Sequence, residues 1–202
     1  MLNRRHCLTA ALVLTGSTLM ARHARAQSVE KASAFVQQTG DKLVAIVNGA
    51  LAVADKRRAL AQILEAAVDV DGIARFSLGR FWRTASADQQ KRYLAAFHDV
   101  LVTNISSRLG EYKGVKLSVQ RGRQQDDQAV VTTIVERPNN PPTTVDWVID
   151  QPAAAPKIID VVAEGTSLRL TQRQDYASYL SRNNNDVDAL IAAMIQQTAK
   201  GG

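Results

Sequence analysis

Cysteine is nearly absent from this chain: the single one is Cys7, seven residues from the N-terminus. No disulfide framework and no cysteine-based zinc site can be built from it. Histidine is scarce too, with His6, His23 and His98 only, so a nitrogen/sulfur metal centre lacks ligands; no metal and no cofactor are expected. The glycines are scattered singly apart from the terminal pair. That leaves no glycine-rich loop to cradle a phosphate. No run is apolar for long enough to cross a bilayer: residues 8–20 give 13 residues, where about 20 are needed. Proline is limited to five residues, in two breaks at 138–142 and 152–156.

What is present at the N-terminus has the three parts of an export signal. Arg4 and Arg5 occur without an acid, the apolar run 8–20 follows, and Ala24-Arg25-Ala26 offers a small-x-small cleavage site. Residues 1–26 are therefore expected to be a signal peptide cleaved after Ala26, so that the mature protein is exported. Arg4-Arg5 leaves general secretory and twin-arginine export both open. Cys7 precedes the apolar run and is lost with the signal. Cleavage leaves 176 residues, 27–202, enough for a single domain with its own core. Four arginines leave as well, so 25 less 4 gives 21 basic groups against 19 acids, and the net charge falls from +6 to +2. A nucleic-acid partner then loses its electrostatic support.

The remaining pattern runs helices, strands, helices. Residues 29–47 carry Phe35, Val36, Leu43, Ile46 and Val47 at helical spacing. Asp55 is expected to cap the next helix, with Leu60, Ile63, Leu64, Ala67 and Val68 as its apolar stripe. A short helix at 71–78 ends at Gly79. Ser86 with Gln89 spells a capping box for a long helix at 87–109. From Val115 the period changes to two, and Asp126-Asp127 and the proline-rich breaks separate strands at about 115–120, 129–135, 145–149 and 157–162. Helices at 171–181 and 186–199 finish the chain. Sequential strands joined by short turns imply an antiparallel meander, and the class is α+β. The expected architecture is a curved four-stranded antiparallel sheet wrapped by several helices, with room for an apolar cavity between the layers.

Two stretches carry a family resemblance. One is Phe76-Ser-Leu-Gly-Arg-Phe-Trp-Arg-Thr-Ala-Ser86 with the helix after it. The other spans 144–176: a strand with Trp147, a Pro/Ala turn, a second apolar strand, then Glu164-Gly165-Thr166-Ser167-Leu168 and Arg173, Gln174 and Tyr176. Together they resemble the MlaC family, also called the toluene-tolerance or ABC-transporter auxiliary family, and the likeness runs in order from about Val29 to Thr198. Departures from the family pattern are Asn104 where a tyrosine is usual, Pro156-Lys157 for Gly-Trp, Asn184 or Asn185 for a glycine before the last helix, and Thr166 with the Gln172–Asp175 run. They leave room for the family's hopanoid-associated branch.

The resemblance implies a monomeric periplasmic carrier that shuttles phospholipid, or a hopanoid-like lipid, between an inner-membrane ABC complex and an outer-membrane lipoprotein partner. It also implies a lipid-filled hollow. On the helical side its walls are expected at Phe81, Trp82, Phe97, Leu101 and Ile105. On the sheet side they are expected at Leu117, Val119, Val145, Trp147 and Ile149, with Val161, Leu168 and Tyr176 closing the end. An ordinary packed core explains the same apolar stripes. Two further function classes remain: a carboxylate-dependent enzyme using Asp160 with Glu164, and an adaptor that bridges proteins and carries nothing. His98 reads as a surface or locally satisfied residue, and Arg121-Gly-Arg123 as a solvated turn.

Overall fold

The computed structural model describes residues 7–150 and 155–200, with side chains from Ala26 onward. The cationic N-terminal segment, including Arg4 and Arg5, and most of the Pro/Ala turn at 152–156 lie outside the described residues. Among the described residues, seven α-helices and five strands follow one another as α1 (Cys7–Asn48), α2 (Val53–Ala67), α3 (Val70–Leu78), α4 (Phe81–Thr84), α5 (Ala87–Ser106), a 3-10 turn (Leu109–Tyr112), β1 (Lys116–Gln125), β2 (Gln128–Glu136), β3 (Thr143–Asp150), β4 (Lys157–Ala163), β5 (Thr166–Ser167), α6 (Leu168–Arg182) and α7 (Val187–Lys200). The class is α+β, as the periodicity implies.

The sheet is an antiparallel meander in the order β1-β2-β3-β4-β5. It has five strands where four are expected, because Thr166 and Ser167 pair with Ala163 and Val162 before α6 begins. Register shifts at Val119/Arg121 and Val148/Ile149 insert an extra residue on β1 and on β4, which increases local twist. Across one face the register aligns Gly122, Val131, Trp147 and Val161. Helix α1 lies on that face over β1 and β2. It comes so close that a Cβ on Gly122 would stand 2.5 Å from Val29 Cγ1 and 2.8 Å from Ser33 Oγ. One end further along, Leu117 packs into the gap left by Gly40 of α1.

Local chemistry fixes most helix ends. Ser86 and Gln89 form the expected capping box on α5, both bonds being present. Helix α5 stops at Ser106, three residues earlier than expected, and a 3-10 turn carries the chain on. Helix α2 starts at Val53 behind Ala52, which offers no side-chain cap; Asp55 sits inside the first turn, 3.3 Å from Arg58, where its charge still favours the positive helix end. Helix α3 is capped by Asp69, whose carboxylate accepts from Gly72 N at 3.0 Å. Helix α6 begins three residues earlier than expected, since Ser167 accepts from Leu170 N.

Two apolar clusters result. The helical cluster gathers α3, α5, α6 and α7 around Leu78, Tyr93, Phe97, Tyr176, Leu180 and Ile191. Tyr93, Phe97 and Tyr176 meet in tilted and edge-on pairs at 6.0–6.3 Å, an arrangement that favours ring quadrupoles. The sheet cluster places Ala32 and Val36 of α1 and Ala67 of α2 over Ala129, Val131, Ile149 and Ile158. Val68 packs against both.

The end of α2 is tied firmly to β4. Val68 bridges to Ile158, Asp69 N donates to Ile158 O at 3.0 Å, and Lys157 Nζ donates to the carbonyls of Glu65 and Ala66 at 3.1 and 2.6 Å. That ammonium serves the unpaired carbonyls and the negative end of the helix.

Candidate functional site

Helices α1 and α2 run antiparallel, and between them lies a groove of about 600 Å³. Phe35, Gln38, Thr39, Lys42, Ala45 and Ile46 line it from α1. Ala59, Gln62, Ile63, Ala66 and Ala67 line it from α2. The alanines create the space: four of the eleven wall residues are methyl-sized where leucine would close the helices together. Phe35, Ile63 and Ala67 belong both to this wall and to the sheet cluster. The groove floor is therefore continuous with the apolar layer that rests on Trp147, Ile149 and Val161. Its volume falls within the roughly 300–1,000 Å³ of small-molecule sites.

A smaller depression of about 240 Å³ opens on the other side of α2, lined by Arg57, Leu64, Glu65, Val70, His98, Asp99 and Leu101 among others. Two of its polar groups are engaged. Arg57 donates to Thr103 Oγ1 at 2.9 Å, and His98 Nε2 lies 2.9 Å from Asp71 Oδ1. His98 is thus locally satisfied, a bridge between α5 and α3.

The thirteen residues expected to line one hollow separate in the structure. Phe97 and Tyr176 are buried in the helical cluster, with Phe81, Trp82 and Leu101 packed against it. Val119, Trp147, Ile149 and Val161 belong to the sheet cluster beneath the groove. Leu117 meets α1 at Gly40. Val145 is buried beside Thr133, whose hydroxyl donates to its carbonyl at 3.2 Å. Ile105 is half-buried near the end of α5, and Leu168 is 52% exposed on the first turn of α6. Trp147 is oriented by a 2.9 Å bond from its indole Nε1 to Thr133 Oγ1. The phenols of Tyr93 and Tyr176 are both pushed well above the usual tyrosine range by burial, so both rings stay neutral.

The acids are engaged in structural contacts. Asp160, only 6% exposed, accepts from Ser167 Oγ at 2.6 Å, Val161 N at 2.8 Å and Arg169 N at 3.2 Å. It holds the β4–α6 junction. Asp146 lies on the opposite sheet face from Trp147, accepting from Thr132 Oγ1 at 2.6 Å and Arg123 at 3.2 Å. Arg123 is thereby an ion-pair partner. Glu164 occupies a left-handed turn position with φ 50° and is exposed.

Sequence reasoning missed the groove itself. Phe35, Ile46 and Ile63 were legible as stripe residues, but Ala59, Ala66, Gln38 and Gln62 carry no apolar signal. Their role depends on how two helices lie together.

An α+β fold with a helix-roofed apolar groove over an antiparallel meander is the class these features define. The family profile described as "MlaC protein" matches residues 37–196, and the chain belongs to that family. A relative is the toluene tolerance protein ttg2D of Pseudomonas putida, 26% identical over 144 residues, covering 70% of this chain and 67% of the relative. Among solved structures, the fold is similar to that of a phospholipid-binding protein from Ralstonia solanacearum, determined in complex with a phospholipid. The TM-score is 0.71 at 21% identity, covering 84% of this chain and 97% of that one.

Proposed function

We propose that this protein is a periplasmic lipid carrier that shelters phospholipid acyl chains beneath α1 and α2 and performs no covalent chemistry. The observation that carries the reading is the groove of about 600 Å³ whose walls share Phe35, Ile63 and Ala67 with the sheet cluster, in a chain of the MlaC family. The phospholipid bound by the Ralstonia solanacearum protein of the same fold supports the ligand class. The physical need is large: at about 0.8 kcal/mol per methylene, two tails of roughly fifteen carbons forfeit on the order of 20 kcal/mol in water. An aqueous crossing therefore requires an apolar container, and a container that exchanges cargo needs an opening rather than a sealed core.

In this reading the tail contacts are Phe35, Ile46 and Ile63 on the walls. Val119, Trp147, Ile149 and Val161 lie beneath, and α1 and α2 separate to admit cargo. Residues 1–26 act as the export signal and 27–202 form the carrier domain. Lipid passes between an inner-membrane ABC complex and an outer-membrane lipoprotein. The structural roles of Asp160 and Asp146 favour a carrier over a carboxylate enzyme. Denaturing solvent extraction of protein purified from the periplasm, followed by mass spectrometry of the extract, tests the reading. Stoichiometric phospholipid is expected; protein that yields none would establish the adaptor alternative.

A further inference from the structure

The groove has a single charged residue on its walls, Lys42. It is exposed, and no hydrogen bond or ion pair joins it to any described residue. Its neighbours behave otherwise. Lys56 Nζ donates to Val47 O at 2.7 Å, Arg57 bonds Thr103, and the carboxylate of Asp41 is taken by Gln37 Nε2 at 2.8 Å. Lysine carries an ammonium on a flexible apolar stem that lies along a greasy wall while its head stays in water. Gln38, one turn from Lys42 on α1, and Gln62 on α2 add amide donors to the walls. From Lys42 the groove runs about one turn one way to Ile46 and two helical turns the other way to Phe35, about 10 Å at the helical rise, where Phe35 and Ala67 join the sheet cluster. An amphiphile laid along it with its chain towards Phe35 would bring its charged group to Lys42.

Resting on the lipid-carrier reading, we propose that Lys42 anchors the phosphodiester of the bound lipid and so makes the groove selective for phosphorylated over phosphate-free lipids. The ammonium–phosphate contact is a charge-assisted bond at a site where the lipid itself excludes water on one side. The carboxylate-free wall adds nothing that would repel the headgroup.

The test is competitive loading. Purified protein is incubated with vesicles containing equal amounts of phosphatidylglycerol and diacylglycerol of the same acyl composition, re-isolated, and its lipid extracted and quantified. The wild type should take up phosphatidylglycerol in preference, and Lys42→Met and Lys42→Glu should reduce that preference about tenfold, the usual scale of one charge-assisted bond, while still loading diacylglycerol. Lys42→Arg should retain it. Variants that keep the wild-type preference would overturn the anchor and leave the carrier standing. Failure of the wild type to load either lipid would overturn the carrier, and the anchor with it. Inorganic phosphate alone, compared with chloride at matched ionic strength, should not compete; if it abolishes the preference, the site is a free-anion site and the lipid assignment fails.

Discussion

Replacing Ala66 with tryptophan separates a lipid groove from ordinary packing. Ala66 is exposed on α2 and lines the groove. An indole there projects into open space of about 600 Å³, not into neighbouring atoms. The folding cost is then little more than the helix-propensity difference, about 0.5–0.7 kcal/mol, which for a chain of this size lowers Tm by about 1–3 °C. The ring itself covers apolar surface along the wall, offsetting part of that. Ala32 supplies the yardstick: it is fully buried between α1 and the sheet, and Ala32→Trp should overpack, costing about 1–3 kcal/mol or more. Thermal unfolding measured beside lipid extracted per folded molecule makes the comparison. The Ala66 variant should melt almost normally and carry several-fold less lipid. A variant that folds normally and keeps a full load would show that cargo lies elsewhere; one that unfolds as readily as the Ala32 variant would show that the groove is closed in solution.

Further outcomes follow from the same contacts. Gly122→Ala places a methyl against Val29 and Ser33, and should destabilise by about 1–3 kcal/mol in urea unfolding as α1 is pushed off β1. Asp188 is held below the usual carboxylate range by bonds from Gln89 Nε2 at 2.9 Å and Arg92 at 2.6 Å. A depressed folded pKa contributes stability that is present above the ordinary value, near 4, and lost as pH falls through the folded one. Asp188→Asn should therefore flatten the fall in Tm on acidification below that point, and an unchanged profile would count against the pair. Export through residues 1–26 should give a periplasmic species whose intact mass begins at Gln27; a chain retaining Met1 in that fraction would refute the cleavage site.

The elements that announced themselves in the sequence are those set by neighbours in sequence. Ser86 and Gln89 cap α5 because both partners lie within one turn, and Asp126 turns the β1–β2 hairpin with φ 52°. Where a competing local signal existed, the reading shifted by a few residues: Asp55 is a good capping residue, but the helix had already begun at Val53. β5 has only two residues and no periodicity to detect. The site was half legible. Val145, Trp147 and Ile149 alternate along β3 and were expected on one face; Trp147 and Ile149 belong to the sheet cluster, while Val145 is buried outside it. The division of the apolar residues into two clusters could not be read, because α2 uses both sides: Leu60 and Leu64 are buried on one, and Ile63 and Ala67 turn towards α1. A helix with two apolar sides gives one broad stripe in sequence.

The fastening of α2 makes it a lever. Its C-terminal end is held by backbone bonds to β4 and by the double contact of Lys157. Its N-terminal end lacks a side-chain cap, follows an exposed Leu51, begins with an exposed Val53, and is tethered through the long side chains of Lys56 and Arg57. Rotation about the fulcrum at Val68 needs no sheet bond to break, and it widens the groove most at the Ile46–Ala59 end, farthest from the fulcrum. Amide hydrogen exchange should register the gradient, fast at 53–57 and slow at 64–69.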